Sequence, residues 1–213
     1  MIQLTDVKPI PLVSQGMNPR SAVFGTQCTM AQGAHYLITA PSGKGKSTLL
    51  HILYGLRSDY EGEVQVDDLN LRTASADQKA LLRQKTLAIV FQDLRLFPEL
   101  SALDNIRLKA ELTGYRSAAD IEHMAEQLGV ASLLHQKAGT LSYGQQQRIA
   151  IIRALQQPFR YLLLDEPFSH LDPDNTARAL SLVEAVCRQE GASMMLTSLA
   201  PSQIGVIDRI MEL

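Results

Sequence analysis

The sequence predicts an α/β fold with a mainly parallel sheet, a small antiparallel β part at its N-terminal end and an inserted helical lobe. Three observations predict it. The runs Leu87-Ala88-Ile89-Val90-Phe91 and Tyr161-Leu162-Leu163-Leu164 are short and continuously apolar, the pattern of strands buried on both faces. The apolar run Tyr36-Leu37-Ile38-Thr39 leads through a glycine-rich stretch into Leu49-Leu50-His51-Ile52-Leu53-Tyr54, a strand-to-helix junction. Between Ser101 and Gln157 the texture is helical, with cap signals and glycine stops.

The junction holds Ala40-Pro41-Ser42-Gly43-Lys44-Gly45-Lys46-Ser47-Thr48. Small residues and glycines let successive backbone N–H groups turn inward around an anionic phosphate, and the following helix adds the positive end of its dipole. Lys46 is placed to reach the β- and γ-phosphates, and Ser47 to put its hydroxyl on Mg²⁺. This assigns a P-loop NTPase core. Ala40 stands where the pattern asks for its first glycine, so strain or an altered turn is expected there.

At 213 residues, one core with an appended lobe is the natural organisation. A net charge of −2 supplies no broad basic field, which argues against nonspecific nucleic-acid binding. No apolar run approaches the roughly 20 residues of a membrane span, and the N-terminus lacks a basic segment followed by an apolar one. A soluble, intracellular protein is expected. Cys28 and Cys187 lie far apart without metal-type spacing, so two reduced thiols are expected.

Along the chain, Ile2–Val7 and Ala22–Met30 carry strand patterns separated by the Pro-, Gly- and Ser-rich segment Pro9–Arg20. Gly55 and Gly62 are read as bracketing a turn, and Glu63–Val66 with Asp67-Asp68 as a hairpin. Ser75-Ala76-Asp77-Gln78, Ser101-Ala102-Leu103-Asp104 and Ser117-Ala118-Ala119-Asp120 have capping-box spacing, with Gly114 and Gly129 as stops. A further helix is expected to open at Leu141-Ser142-Tyr143-Gly144-Gln145 and run to about Gln156. Pro173 starts another, ending near Glu190, and strands follow at Ser193–Leu196 and Ile207–Leu213.

In open α/β sheets ligands bind beyond the carboxyl ends of strands, so Gln92 can share a nucleotide with the glycine-rich loop. Taken alone, a glutamine there is an ordinary solvated residue. Asp165 is suited to hold Mg²⁺ and Glu166 to polarise an attacking water, although the pair before Pro167 also reads as an acidic turn. Ser142 and Gly144 alone read as a helix cap.

Together these stretches resemble the nucleotide-binding domain of ABC transporters over nearly the whole chain. Ala40–Thr48 resembles the Walker A loop, Gln92 the Q-loop and Leu141–Gln145 the family signature. Leu162–Glu166 resembles the Walker B strand with its catalytic glutamate, and Ser169–Asp172 the D-loop. The resemblance implies one ATP-binding domain over 1–213, with a RecA-like core at about 1–92 and 158–213 and a helical lobe at about 93–157.

It also implies a head-to-tail dimer, homomeric or with a related subunit, around two ATP molecules. Each ATP would lie between the Walker A loop of one subunit and Ser142, Gly144 and Gln145 of the other. Catalysis is implied for Glu166, Lys46 and Gln92, and metal binding for Ser47, Gln92 and Asp165. The helical lobe would receive a transmembrane permease partner, keeping the chain cytoplasmic at the inner face of the membrane. Phe91–Leu100, continuing to Asn105-Ile106, looks most like the ATPases of lipoprotein release, macrolide export and cell division.

Two departures bear on activity. Leu199 stands where the family has a switch histidine, and leucine cannot donate that hydrogen bond. One lost transition-state donor costs roughly 10²–10³ in rate, so slow hydrolysis is expected, with Ser198 and His170 as the candidate substitutes. Pro9–Arg20 has no aromatic residue to stack on adenine, so weak base contact is expected; Phe24 is the nearest ring, on a position that reads as core. A hydrolysing transporter subunit and an ATP-gated, hydrolysis-impaired regulatory clamp are the two functions these features admit.

Overall fold

The computed structural model describes residues 1–14, 16–198 and 207–213. In chain order they form β1 (Ile2–Pro9), α1 (Ile10–Val13), β2 (Gln27–Met30), β3 (His35–Thr39), α2 (Lys46–Leu53), β4 (Tyr60–Val66), β5 (Leu69–Asn70) and α3 (Ala76–Lys85). There follow β6 (Leu87–Val90), α4 (Ala102–Thr113), α5 (Ala118–Gln127), α6 (Tyr143–Ala154), β7 (Tyr161–Asp165), α7 (Pro173–Glu190), β8 (Ser193–Ser198) and β9 (Arg209–Glu212).

The larger sheet is parallel with order β6-β7-β8-β3-β9. Its apolar runs are explained by burial on both faces. Along β7, Tyr161 and Leu163 enter one core, shared with α2 and the smaller sheet, while Leu162 and Leu164 enter another, shared with α4–α7. β3 alternates in the same way, with Leu37 on the second core and Tyr36 and Ile38 on the first. A side-chain period of two leaves no solvent face for a polar residue. Truncating fully buried Leu163 to alanine would cost about 2–5 kcal/mol.

The smaller sheet is antiparallel, β2-β1-β4-β5. Gly62 is not in a turn: it lies inside β4, where the β1–β4 register shifts between Thr5 and Lys8. A Cβ on Gly62 would sit 2.3 Å from the Asp6 carbonyl oxygen, and Asp6 itself takes φ 49°. This bulge ties two strands so closely that only glycine fits. The segment after Pro9 is not all loop either, since Ile10–Val13 is helical and buries Leu12.

Helix starts follow the cap signals. Ser75 with Gln78, Ser117 with Asp120, and Ser142 with Gln145 form reciprocal capping boxes. Ser101 accepts the Asp104 N–H, but the Asp104 carboxylate takes the Ser101 hydroxyl instead of a backbone donor. Asp172 caps α7 ahead of Pro173, and Gly191 ends it with φ 60°. Because the larger sheet is parallel, the residues just after β3, β6 and β7 lie along one edge.

Candidate active site

The loop between β3 and α2 is shaped by Gly43 at φ 76° and Gly45 at φ 100°, conformations that cost a side-chain-bearing residue most. Gly45 is the N-cap of α2 and no side chain caps it, so the helix opens toward the loop without a competing side-chain acceptor. A Cβ on Gly45 would come within 2.5 Å of Leu12 Cδ1 and 3.1 Å of Phe24 Cε2. Those two buried side chains therefore brace the loop from behind; Phe24 is a core residue as expected, but the strand read over Ala22–Met30 begins only at Gln27, so Phe24 lies in the bend and turn before it. A cavity of about 210 Å³ opens beside it, lined by Leu12, Met17, Asn18, Phe24, Pro41 and Lys44 among others. Ala40 does not take a positive φ, so the strain expected from its methyl group is absent.

Lys46 is buried at 5% exposure, with Nζ donating to the Ala40 carbonyl at 2.9 Å and lying 3.3 Å from Glu166 Oε1. Ser47 Oγ donates to Gln92 Oε1 at 3.4 Å. The parallel register sets Asp165 beside Thr197. Thr197 Oγ1 donates to Asp165 Oδ1 at 2.9 Å and accepts the Glu166 N–H at 3.0 Å. Asp165 Oδ2 is buried and has no hydrogen-bond partner. A buried carboxylate oxygen left this way carries a desolvation cost that a cation or its water would relieve.

Asp165 lines a cavity of about 410 Å³ with Ser47, His51, Gln92, Asp93 and Tyr143. Among the described residues no group of three or more His, Cys, Asp or Glu clusters as a metal cage. A carboxylate, a hydroxyl and an amide oxygen are instead the hard, sparse donor set that suits Mg²⁺, which completes its octahedron with water and phosphate oxygens. These residues fit that ion. Burial pushes the His51 imidazole pKa down, partly offset by Asp165 and reinforced by Arg95, so this part of the cavity wall favours a neutral ring.

Ser142, Gly144 and Gln145 do not line this cavity, although Tyr143 beside them does. Ser142 and Gln145 are engaged in their own capping box. Gly144 lets the chain after β7 approach, since a Cβ there would lie 2.9 Å from the His170 carbonyl oxygen. Three residues were missed by sequence reasoning. Tyr143 Oη donates to the Gln92 carbonyl at 2.7 Å while its ring meets His170 edge-on at 4.4 Å. Gln147 is 1% exposed and donates to the Glu166 carbonyl. Thr197 joins Asp165 to Glu166. Gln147 carries a local signal, a glutamine two residues before the buried run Ile149–Ile152, whereas Thr197 shows only once β7 and β8 are paired. Leu199 lies outside the described residues.

The comparisons with known proteins decide the family. The profile of the ABC transporter family matches residues 23–169. This chain belongs to the ABC transporter family. The chain is 35% identical over 195 residues to the lipoprotein-releasing system ATP-binding protein LolD of Anaeromyxobacter dehalogenans, covering 90% of this cassette and 82% of that protein. It is 37% identical over 192 residues to macrolide export ATP-binding/permease protein MacB 1 of Aeromonas hydrophila, covering 89% of this cassette and 30% of that longer protein. Among solved structures, the dimeric bacterial ABC transporter cassette MJ0796 superposes with a TM-score of 0.86 at 27% identity, covering 100% of this chain and 94% of that one. The same cassette in a post-hydrolysis state, bound to ADP and Pi, superposes at 0.85. The family and the kind of relative expected from the motifs are both borne out.

Proposed function

We propose that this ABC cassette binds and hydrolyses Mg-ATP as a single domain, and dimerises around two ATP molecules to drive a permease partner. The observation that carries the reading is the convergence of Lys46, Ser47, Gln92, Asp165 and Glu166 at one sheet edge, with Asp165 Oδ2 buried and unsatisfied. The loop from Ala40 to Thr48 would cradle the phosphates, and Ser142, Gly144 and Gln145 at the start of α6 would serve the ATP of the second subunit. The domain would divide into a core at about 1–92 and 158–213 and a helical lobe at about 93–157.

Mg²⁺ held by Ser47, Gln92 and Asp165 would neutralise charge on the phosphates. Lys46 leaves Glu166 for the phosphoryl oxygens, where it stabilises charge as the terminal group departs. Glu166, freed from Lys46, orients the attacking water and takes its proton. Gln92 reports the state of the site through its contacts with Ser47 and Tyr143.

Among the described residues no helix is long and apolar enough to cross a membrane, so attachment to the inner face is assigned to the partner. A groove of about 570 Å³ beside the Gln92 loop, lined by Phe91, Phe97, Leu108, Lys109, Leu112 and Arg153 among others, is suited to a permease segment. Burial pushes the Lys109 pKa down and Arg153 adds to that push, so a carboxylate on the incoming segment would be favoured there.

Leu199 favours a second reading, the hydrolysis-impaired clamp, because it lacks the donor a histidine would supply. Steady-state Mg-ATP turnover of wild type beside Leu199→His, with Glu166→Gln as background, separates the two. Turnover above background that histidine barely raises supports the motor. Wild type at background, raised by Leu199→His, supports the clamp.

A further inference from the structure

We propose that Gln147 is a positioning residue that holds Glu166 in its working orientation and links it to the helix bearing the signature. The proposal rests on the reading of Glu166 as the group that orients water. Glu166 has φ 47°, a left-handed conformation that a glutamate keeps only when its surroundings impose it. Both ends of the residue have a partner outside its own loop, and its carbonyl also accepts the Ser169 N–H at 3.3 Å from within it. Its N–H is taken by Thr197 Oγ1 at 3.0 Å, from β8, and its carbonyl by Gln147 Nε2 at 3.3 Å, from α6.

Gln147 Oε1 in turn accepts the His170 N–H at 3.3 Å. One buried amide therefore spans the segment from Glu166 to His170, and at 1% exposure no bulk water can take its place. Gln147 lies about one turn into α6, whose N-terminus is Ser142-Tyr143. A shift of that helix, as when its start meets a second subunit's nucleotide, pulls directly on the Glu166 carbonyl and re-aims its side chain.

The test uses the full chain as wild type, Gln147→Met, Gln147→Asn and Glu166→Gln. Methionine keeps the volume and loses both hydrogen bonds; asparagine keeps the amide but is one methylene short. Turnover (kcat and KM), ADP affinity and the fraction of protein that binds ADP are measured together. The expected result is a kcat lowered about tenfold to a hundredfold in both Gln147 variants, with KM and ADP affinity within about twofold. Glu166→Gln sets the background against which these rates are read. An unchanged kcat, a kcat loss matching the ADP-binding fraction, or a kcat loss with an equal loss of ADP affinity overturns the proposal while the hydrolytic reading stands. If wild type does not exceed Glu166→Gln, the hydrolytic reading fails and this inference falls with it.

Discussion

Lys46 Nζ lies 3.3 Å from Glu166 Oε1, with the two side chains only 5% and 14% exposed. The lysine proposed to bind phosphate is thus held by the glutamate proposed to orient water, and each keeps the other's charge compensated inside the site. On the proposed roles, nucleotide must break this pair. Glu166→Gln is therefore expected to tighten ATP binding by roughly fivefold, equivalent to about 1 kcal/mol, while abolishing turnover. Isothermal titration with ATP checks it, and on a Lys46→Met background the same substitution should leave affinity unchanged. Weaker binding by Glu166→Gln would show that the pair does not compete with nucleotide.

Thr197 holds Asp165 and Glu166 together through one hydroxyl, donating to the carboxylate and accepting the N–H. Thr197→Val removes that hydroxyl at nearly constant volume and leaves the buried Asp165 with neither oxygen bonded. A loss of about 1–3 kcal/mol follows, and for a chain of this size 2 kcal/mol lowers Tm by roughly 4–8 °C. Thr197→Ser, which keeps the hydroxyl, should melt close to wild type. Equal melting of the valine and serine variants would assign the effect to packing alone.

Much of the site was legible because its chemistry is written in adjacent residues. Lys46 and Ser47 follow a glycine turn, Asp165 and Glu166 end an apolar strand, and Ser142 is spaced three residues from Gln145; each pattern states its physics locally. What was not legible depends on pairing distant segments. Thr197 matters because β8 aligns it with Asp165, and Gln147 because α6 packs against the chain after β7. The fold shows the same division. The apolar strands and caps were readable, whereas Gly62 looked like a turn because a bulge against Asp6 has no signature in β4 itself.

That bulge supplies a contrast between two glycines of similar φ. Gly62, at 83°, would place a Cβ 2.3 Å from Asp6 O and 2.5 Å from Thr5 O, both backbone atoms. Gly43, at 76°, has nothing within 4 Å of the same added atom. Gly43→Ala should cost only the left-handed strain, about 1–2 kcal/mol. Gly62→Ala must also push two strands apart, at roughly 1–3 kcal/mol more. Urea midpoints of the two variants test the ranking; equal midpoints would mean that β1 and β4 yield without cost.

Both cysteines are free and buried, and burial pushes Cys28 up to about 11 and Cys187 up to about 12. Arg209 pulls Cys28 partly back, while Glu184 and Glu190 push Cys187 further. Only the thiolate attacks disulfides and alkylating agents, so neither thiol should react at pH 8 until the chain unfolds. The same shifts set a sign for stability. Both folded values lie above the usual 9.0, so above that pH the unfolded chain gives up protons that the folded one retains. Their contribution is complete below about pH 9 and is lost as pH rises through the folded values. The urea midpoint should fall from pH 8 to pH 10, and Cys187→Ala should shrink that fall. A pH-independent midpoint, or prompt labelling of the native protein, would place these thiols in contact with solvent.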